Sequence, residues 1–265
     1  MISESRCPVE NGELLVRRGG EGPVLLLISG GTGAGDAYRA LAKQLYADFT
    51  VITYDRRGHF ASTDTTTGPV PVSLQAEDAL AVLTHATDGP ALVFGSSAGA
   101  LIGLELVARH PDSVTTLVAH EPPAVHLMPD AGAWLEAAAD QVRLARSGEL
   151  MTAVTRFADA IAGAALPDLP TIRLPHEEDW VRLFDRELTE FFDYLPDLRA
   201  LRRASTEIFP VAGEGSRGHY HYQPAKILAL ELGLPFTELP GAHLAPQRNP
   251  AKFAAALKDL LSPEL

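Results

Sequence analysis

Among the side chains of this chain that can do chemistry, Ser97 has the most telling neighbours. It stands in Gly95-Ser96-Ser97-Ala98-Gly99, between an apolar run ending at Phe94 and an apolar helical pattern beginning near Ala98. A serine on so sharp a strand-to-helix turn takes a strained backbone conformation and presses the residues two positions away against adjacent chain. Only small residues fit there, and Gly95 and Gly99 supply them. The helix start behind Ser97 offers backbone N–H groups and a positive dipole end to a developing oxyanion. A glycine-rich turn serving only close helix-sheet packing is the alternative, and the strand-turn-helix setting weighs against it. A serine hydroxyl is a poor nucleophile at neutral pH and needs a base. His243, in Gly241-Ala242-His243 just beyond the last predicted strand, has the right chemistry for that proton transfer.

The elements that must position these residues are readable from periodicity. Leucine-rich or β-branched runs alternate with amphipathic helical patterns through the first half, which predicts βαβ units and a mainly parallel sheet with helices on both faces. Strands are expected over Pro23 to Ser29, Thr50 to Tyr54, Ala91 to Phe94 and Thr115 to Ala119. Asp36 is placed to cap a helix carrying Tyr38, Leu41, Ala42 and Leu45, and Ser73 to open another with Ala76, Leu80 and Leu83. The segment from Ala98 to His110 is apolar nearly all round and must be buried.

From Pro122 to about Ala204 the alternation stops and helices follow one another. Leu135, Ala138 and Val142 line one; Leu150, Val154, Phe157 and Ile161 a second; Trp180, Leu183, Phe184, Leu188 and Phe191 a third. Strands resume with Ile208 to Ala212 and Pro235 to Leu239, and a last helix opens with Asn249 as cap and Pro250 in its first turn. The expected organisation is an α/β core of residues 1–121 and 205–265 with a helical insertion over 122–204.

These motifs and their order resemble the α/β-hydrolase superfamily. Ser29-Gly30-Gly31-Thr32-Gly33 is similar to its His-Gly-Gly oxyanion loop, with Ser29 in the usual histidine position. The resemblance implies an oxyanion hole made by the backbone N–H groups of Gly31 and Ala98. Tyr54-Asp55-Arg56-Arg57-Gly58-His59 looks like the superfamily's Asp-x-Arg-Gly loop, where Asp55 and Arg57 are expected to brace loops rather than touch substrate. His59, without an identified partner, is expected at the surface. The helical insertion resembles a cap. Its residues at strict helical spacing are expected to form the cap's own core, which leaves Trp134 and Phe192 as candidate walls of an apolar substrate pocket.

The acid that orients His243 is where the sequence departs from the superfamily pattern. The usual site is the loop after the strand Ile208 to Ala212, and Gly213-Glu214-Gly215-Ser216 puts a serine there. Two carboxylates are available: Glu214, shifted by two positions, and Glu121, in Ala119-His120-Glu121-Pro122 after the preceding parallel strand. The latter location resembles the acid site of one subgroup of haloalkane dehalogenases. Glu121 is the expected partner, with anchoring of the cap as its competing role.

Composition narrows the functional classes. A net charge of -12 and short basic clusters such as Arg202-Arg203 argue against nucleic acid as partner. No run approaches the roughly 18 apolar residues of a membrane span, and the N-terminus lacks the basic and apolar regions of a signal peptide, so a cytoplasmic protein is expected. The one cysteine, Cys7, cannot form an intramolecular disulfide. His219 and His221 have i, i+2 spacing, but no cysteine or carboxylate cluster accompanies them in sequence. They are expected as loop residues near the catalytic group, with no metal or cofactor. His110, His120, His126 and His176 read as structural or surface residues.

Two rival functions remain. Gly31-Thr32-Gly33 followed by Asp55 at the end of the next strand has the outline of a dinucleotide fingerprint, but Asp36 would stand where the helix receives a pyrophosphate. The same hydrolase fold also serves cyclases, lyases, cofactor-free oxygenases and ligand receptors. The leading expectation is a serine hydrolase acting on an ester, thioester, lactone or amide of a mainly apolar small molecule.

Overall fold

The computed structural model describes residues 2–162 and 176–261. Among these residues nine strands form one sheet: β1 (Ser3–Val9), β2 (Gly12–Gly19), β3 (Val24–Ile28), β4 (Thr50–Tyr54), β5 (Thr63–Asp64), β6 (Ala91–Ser96), β7 (Val114–His120), β8 (Glu207–Gly213) and β9 (Thr237–Leu239). Their order is β1-β2-β4-β3-β6-β7-β8-β9, with β5 paired to β2. From β4 to β9 every pairing is parallel, while β2 runs antiparallel to its neighbours.

Strand β3 shows why both sheet faces are covered. Its side chains alternate, so Leu26 and Ile28 join one apolar cluster and Leu25 and Leu27 the other. On the second face lie α1 (Arg39–Leu45) and the closing helix; on the first lie α2 (Val72–Ala86) and α3 (Ala98–Arg109). Between β7 and β8 come α4 (Ala131–Arg146), α5 (Leu150–Ala162), α6 (Glu177–Arg182), α7 (Leu188–Phe192) and α8 (Leu198–Arg203), with a π-helical turn Leu183–Glu187 joining α6 to α7. The last of these returns to the core, packing on α3 and on α9 (Tyr222–Leu232). A short α10 (Ala245–Arg248) and α11 (Pro250–Leu261) complete the chain.

The chain turns from β3 to β4 on one side and crosses to β6 on the other. Loops leaving the carboxyl ends of β3 and β6 therefore lie side by side at the point where strand order reverses, the position where open α/β sheets place their ligands. The ends of β7, β8 and β9 continue the row.

Two local features differ from the sequence expectations, the placing of Asp36 and the start of α2, and two more, the hairpin β1-β2 and α9, lie outside them. The N-terminal hairpin β1-β2 turns at Glu10-Asn11, with Asn11, a residue type that tolerates the left-handed region, at φ 60°. Asp36 lies inside a 3-10 turn, Gly35–Tyr38, that precedes α1, and pairs with Arg39 instead of capping. Helix α2 opens one residue before Ser73, with Pro71 in the cap position and no side-chain cap bond. The helix α9 was not anticipated from periodicity.

Close approach of β6, α3 and β3 depends on two glycines. A Cβ on Gly95 would stand 2.2 Å from the carbonyl oxygen of Gly99, and one on Gly99 would stand 2.2 Å from that of Ile28. Neither backbone atom can swing away as a side chain would. Gly99→Ala is expected to destabilise the fold by about 3 kcal/mol. Urea unfolding within about 0.5 kcal/mol of the parent would contradict this close packing.

Candidate active site

Ser97 sits at the head of α3 with φ 57° and ψ −129°, one of four non-glycine residues with positive φ among the described residues. Its N–H donates to the carbonyl of His120 at 2.9 Å, tying the turn to the end of β7. The loop after β3 lies against it: a Cβ on Gly30 would stand 3.0 Å from Ser97 Cβ and 3.6 Å from its Oγ. Gly31 and Ala98, at the carboxyl end of β3 and the first turn of α3, thus belong to loops that meet at Ser97. Adjacent Ser96 is buried, its hydroxyl engaged with His120 Nδ1 at 2.8 Å.

The structure brings His243 and Glu121 together. His243 Nδ1 lies 2.6 Å from Glu121 Oε2, and both residues are buried. Glu121 also has positive φ, 48°, and its N–H continues the β7–β8 ladder by donating to the carbonyl of Val211. The backbone N–H of Gly213 donates to Oε1 at 2.7 Å. Burial alone would raise the Glu121 carboxyl; the surrounding imidazoles, His120 and the hydrogen-bonded His243 foremost, hold it below the usual carboxylate range. Glu214 is exposed on the turn Glu214–Ser216, whereas Ser216 is buried and faces His221 Nε2 at 3.3 Å.

His221, expected near this group, packs its ring 4.4 Å from that of His243 and places Nε2 3.4 Å from Glu121 Oε2. A carboxylate therefore does accompany this histidine, supplied from the end of β7. Donor atoms of Glu121, His221 and His243 lie within 4.8 Å of one another. The 2.6 Å separation of the Glu121–His243 pair is that of a hydrogen bond; ligands about 2 Å from a tetrahedral zinc stand about 3.3 Å apart.

Burial pushes the His120 imidazole down to about 4, and burial together with the nearby His243 pushes that of His221 down to about 3. Both are neutral at pH 7. Unfolded, each would titrate near 6.5, so between those values the unfolded chain binds the extra protons. Stability is thus fully present above about pH 6.5 and falls as pH drops toward 4, by on the order of 3 kcal/mol for His120. Urea unfolding at pH 7.0 and 4.5 is expected to show this loss, with a smaller one in His120→Asn. Equal losses in the two proteins would contradict the assignment.

The loop after β4 is built into an ionic cluster. Asp55 accepts from Arg17 and from the N–H of Gly35, and Arg57 forms two bonds to Asp78, in keeping with bracing roles. His59 corrects its sequence expectation: it is fully buried, 3.0 Å from Glu187 and 3.4 Å from Asp179. Its partners come from the helices between β7 and β8, more than a hundred residues away, where no local pattern could reveal them. Arg56 is buried too, pairing with Glu187 Oε2 at 2.9 Å and with the side chain of Gln75.

Trp134 and Phe192 converge on Tyr220, Trp134 stacked at 4.5 Å and Phe192 at 6.5 Å between ring centroids. Nearer the β3 loop stand Phe157 and Leu183, whose side chains would meet a Cβ on Gly31 at 3.2 and 3.6 Å. These two, expected in the interior of the helical segment, also touch the loop beside Ser97. A cavity of about 220 Å³ opens next to His243, lined among others by Ile161, His219, His221 and Leu244. No helix among the described residues is long and apolar enough to cross a membrane.

Comparison with known proteins agrees with this architecture. Residues 23–201 match the family model described as alpha/beta hydrolase fold. YraK of Bacillus subtilis (strain 168), described as an uncharacterized hydrolase, is 33% identical over 254 residues, covering 92% of this chain and 91% of its own. A thermophilic esterase from Thermogutta terrifontis superposes with a TM-score of 0.80 at 17% identity, covering 98% of both chains. The carboxylesterase CesB from Bacillus subtilis gives 0.75 at 17% identity, over 100% of this chain and 93% of its own. At such identities the two structures speak for the fold, while the family match and the relative spanning nearly the whole chain show that this protein belongs to the alpha/beta hydrolase fold family, as a hydrolase.

Proposed function

We propose that the chain is a serine hydrolase that cleaves an ester, thioester, lactone or amide of a mainly apolar small molecule through an acyl-enzyme on Ser97. The observation that carries this reading is the left-handed backbone of Ser97 at the junction of β6 and α3. A non-glycine residue there costs on the order of 1–3 kcal/mol, and such strain persists where function requires it.

On this reading Glu121 accepts the Nδ1–H of His243, which leaves the lone pair of the neutral imidazole on Nε2. Nε2 takes the Ser97 proton as Oγ attacks the carbonyl carbon. The negative oxygen that develops is held by the N–H groups of Gly31 and Ala98. The imidazolium, stabilised by the Glu121 carboxylate, then gives its proton to the leaving group as the acyl-enzyme forms. Water, deprotonated by His243, attacks in turn and releases the acid and free Ser97. Serine, imidazole and main-chain donors suffice for these steps, so no cofactor enters them.

The helical segment 122–204 acts as a cap over this group in the same reading. Trp134 and Phe192 form one apolar wall, and Phe157 and Leu183, against Gly31, supply a second. Two relatives of the fold described as esterases, one from Thermogutta terrifontis and CesB, make acyl esters the first substrates to test. An alkyl fluorophosphonate is expected to modify Ser97 alone, located by peptide mass spectrometry. A screen of p-nitrophenyl esters from acetate to dodecanoate then reads the depth of the pocket. Wild-type protein that hydrolyses these esters while Ser97 stays unlabelled would sink the reading.

A further inference from the structure

We propose that Arg56 is a positioning residue for the oxyanion hole, fixing the peptide plane that carries the Gly31 N–H and tying it to the helical segment through Glu187. The inference rests on the serine-hydrolase reading above.

Arg56 is 1% exposed and uses each nitrogen of its guanidinium. Nε donates to the carbonyl of Gly30 at 3.3 Å and Nη2 to that of Gly31 at 3.0 Å. Nη1 points the other way, to Glu187 and Gln75. The Gly30 carbonyl and the Gly31 N–H belong to one planar peptide group, so holding the oxygen sets the direction of the hydrogen. Two consecutive glycines have the freest backbone available, and a donor that must already point at the developing charge needs something to hold it. The side chain of Ser29, next in line to do so, has no hydrogen-bond partner for its buried hydroxyl among the described residues. Arg56 and the N–H of Gly33, which donates to the Gly30 carbonyl at 3.0 Å, take that role.

The other end of the strut is equally built. Glu187 lies in the π-helical turn Leu183–Glu187, is buried, and also meets His59 and Arg182. Phe191, one turn on, places its ring 5.3 Å from the Arg56 guanidinium carbon. The same π turn supplies Leu183, whose side chain packs on Gly31. A single turn of the helical segment therefore reaches the loop twice, once through apolar contact and once through Arg56. The fork of a guanidinium is what allows one side chain to hold two carbonyls and a carboxylate; an ammonium is a single point.

The experiment compares wild type, Arg56→Lys and Glu187→Gln in hydrolysis of p-nitrophenyl butyrate and in binding of phenylboronic acid, whose adduct with the serine is tetrahedral. Arg56→Lys keeps a cation beside Glu187, and thermal melting confirms that each variant is folded. The expected result for Arg56→Lys is a fall in kcat of about 100-fold with KM within threefold, matching loss of one oxyanion donor. Boronate affinity should fall in parallel while binding of the butyrate product does not. Glu187→Gln should lose about tenfold in the same two quantities, since the strut keeps a hydrogen bond and loses its charge. Folded Arg56→Lys with unchanged kcat, or with lost kcat and unchanged boronate affinity, overturns the proposal. Fluorophosphonate labelling of Ser97 in wild type, run alongside, separates that failure from failure of the serine-hydrolase reading, which would remove the basis of both.

Discussion

Ser97→Ala is expected to lower kcat by about 10⁴ to 10⁶ while leaving the thermal transition within a few degrees of the parent. The size of the loss follows from the role proposed for the hydroxyl: without Oγ no acyl-enzyme forms, and what remains is polarisation of a bound carbonyl by main-chain donors. Stability should change little, because Ala removes one oxygen from a half-buried position, although the methyl side chain still occupies a left-handed backbone. Ser96→Ala is the necessary companion. Its hydroxyl is buried and held by His120, away from the nucleophile's role, so this variant should stay within about tenfold of wild type. Hydrolysis by Ser97→Ala at more than a hundredth of the parent rate would remove Ser97 from the mechanism.

Glu121→Gln should cost about 10³ to 10⁴ in kcat, with Glu214→Gln near wild type. The amide is nearly isosteric with the carboxylate, so packing around the end of β7 is kept. It can, however, turn its NH₂ toward Nδ1 of His243, which then accepts, and the imidazole proton moves to Nε2. A histidine protonated there cannot take the Ser97 proton. The Gly213 N–H, now bonded to Glu121 Oε1, favours the amide oxygen on its own side and so drives that turn. Because the facing imidazoles hold the Glu121 carboxyl below the usual carboxylate range, its ionisation should persist on acidification past the point where an ordinary glutamate protonates. Acid loss of kcat in wild type should accordingly not titrate as a free glutamate. An inactive Glu214→Gln beside an active Glu121→Gln would reverse the assignment.

The sequence by itself determined most of the fold, since the signals are local. Leu25 to Leu27, Val51 to Tyr54 and Val93 to Phe94 are short apolar runs between helical patterns, and each became a buried strand. The glycine spacing around Ser97 specified the strand-turn-helix junction: Gly95 answers a steric demand made by Gly99 within the same five residues, while Gly99 leaves room for Ile28 at the end of β3. The hairpin β1-β2 and the helix α9 were harder, since an edge strand and a helix containing Pro224 carry weaker periodicity.

The pairings at the site belong to tertiary structure. Glu121 and Glu214 are both near a strand end in sequence, and nothing local says which approaches His243; the choice follows from the parallel pairing of β7 with β8, which sets Glu121 between Val211 and Gly213. His59 reads as an unpartnered loop histidine until the helices between β7 and β8 fold back and place Asp179 and Glu187 around it. Arg56 likewise reads as one of two adjacent arginines, yet it meets Gly30 and Gly31 from one side and Glu187 from the other. Backbone conformation is dictated by neighbours along the chain, whereas a buried charge is stable only beside partners that the completed fold delivers, and those partners lie up to 131 residues away.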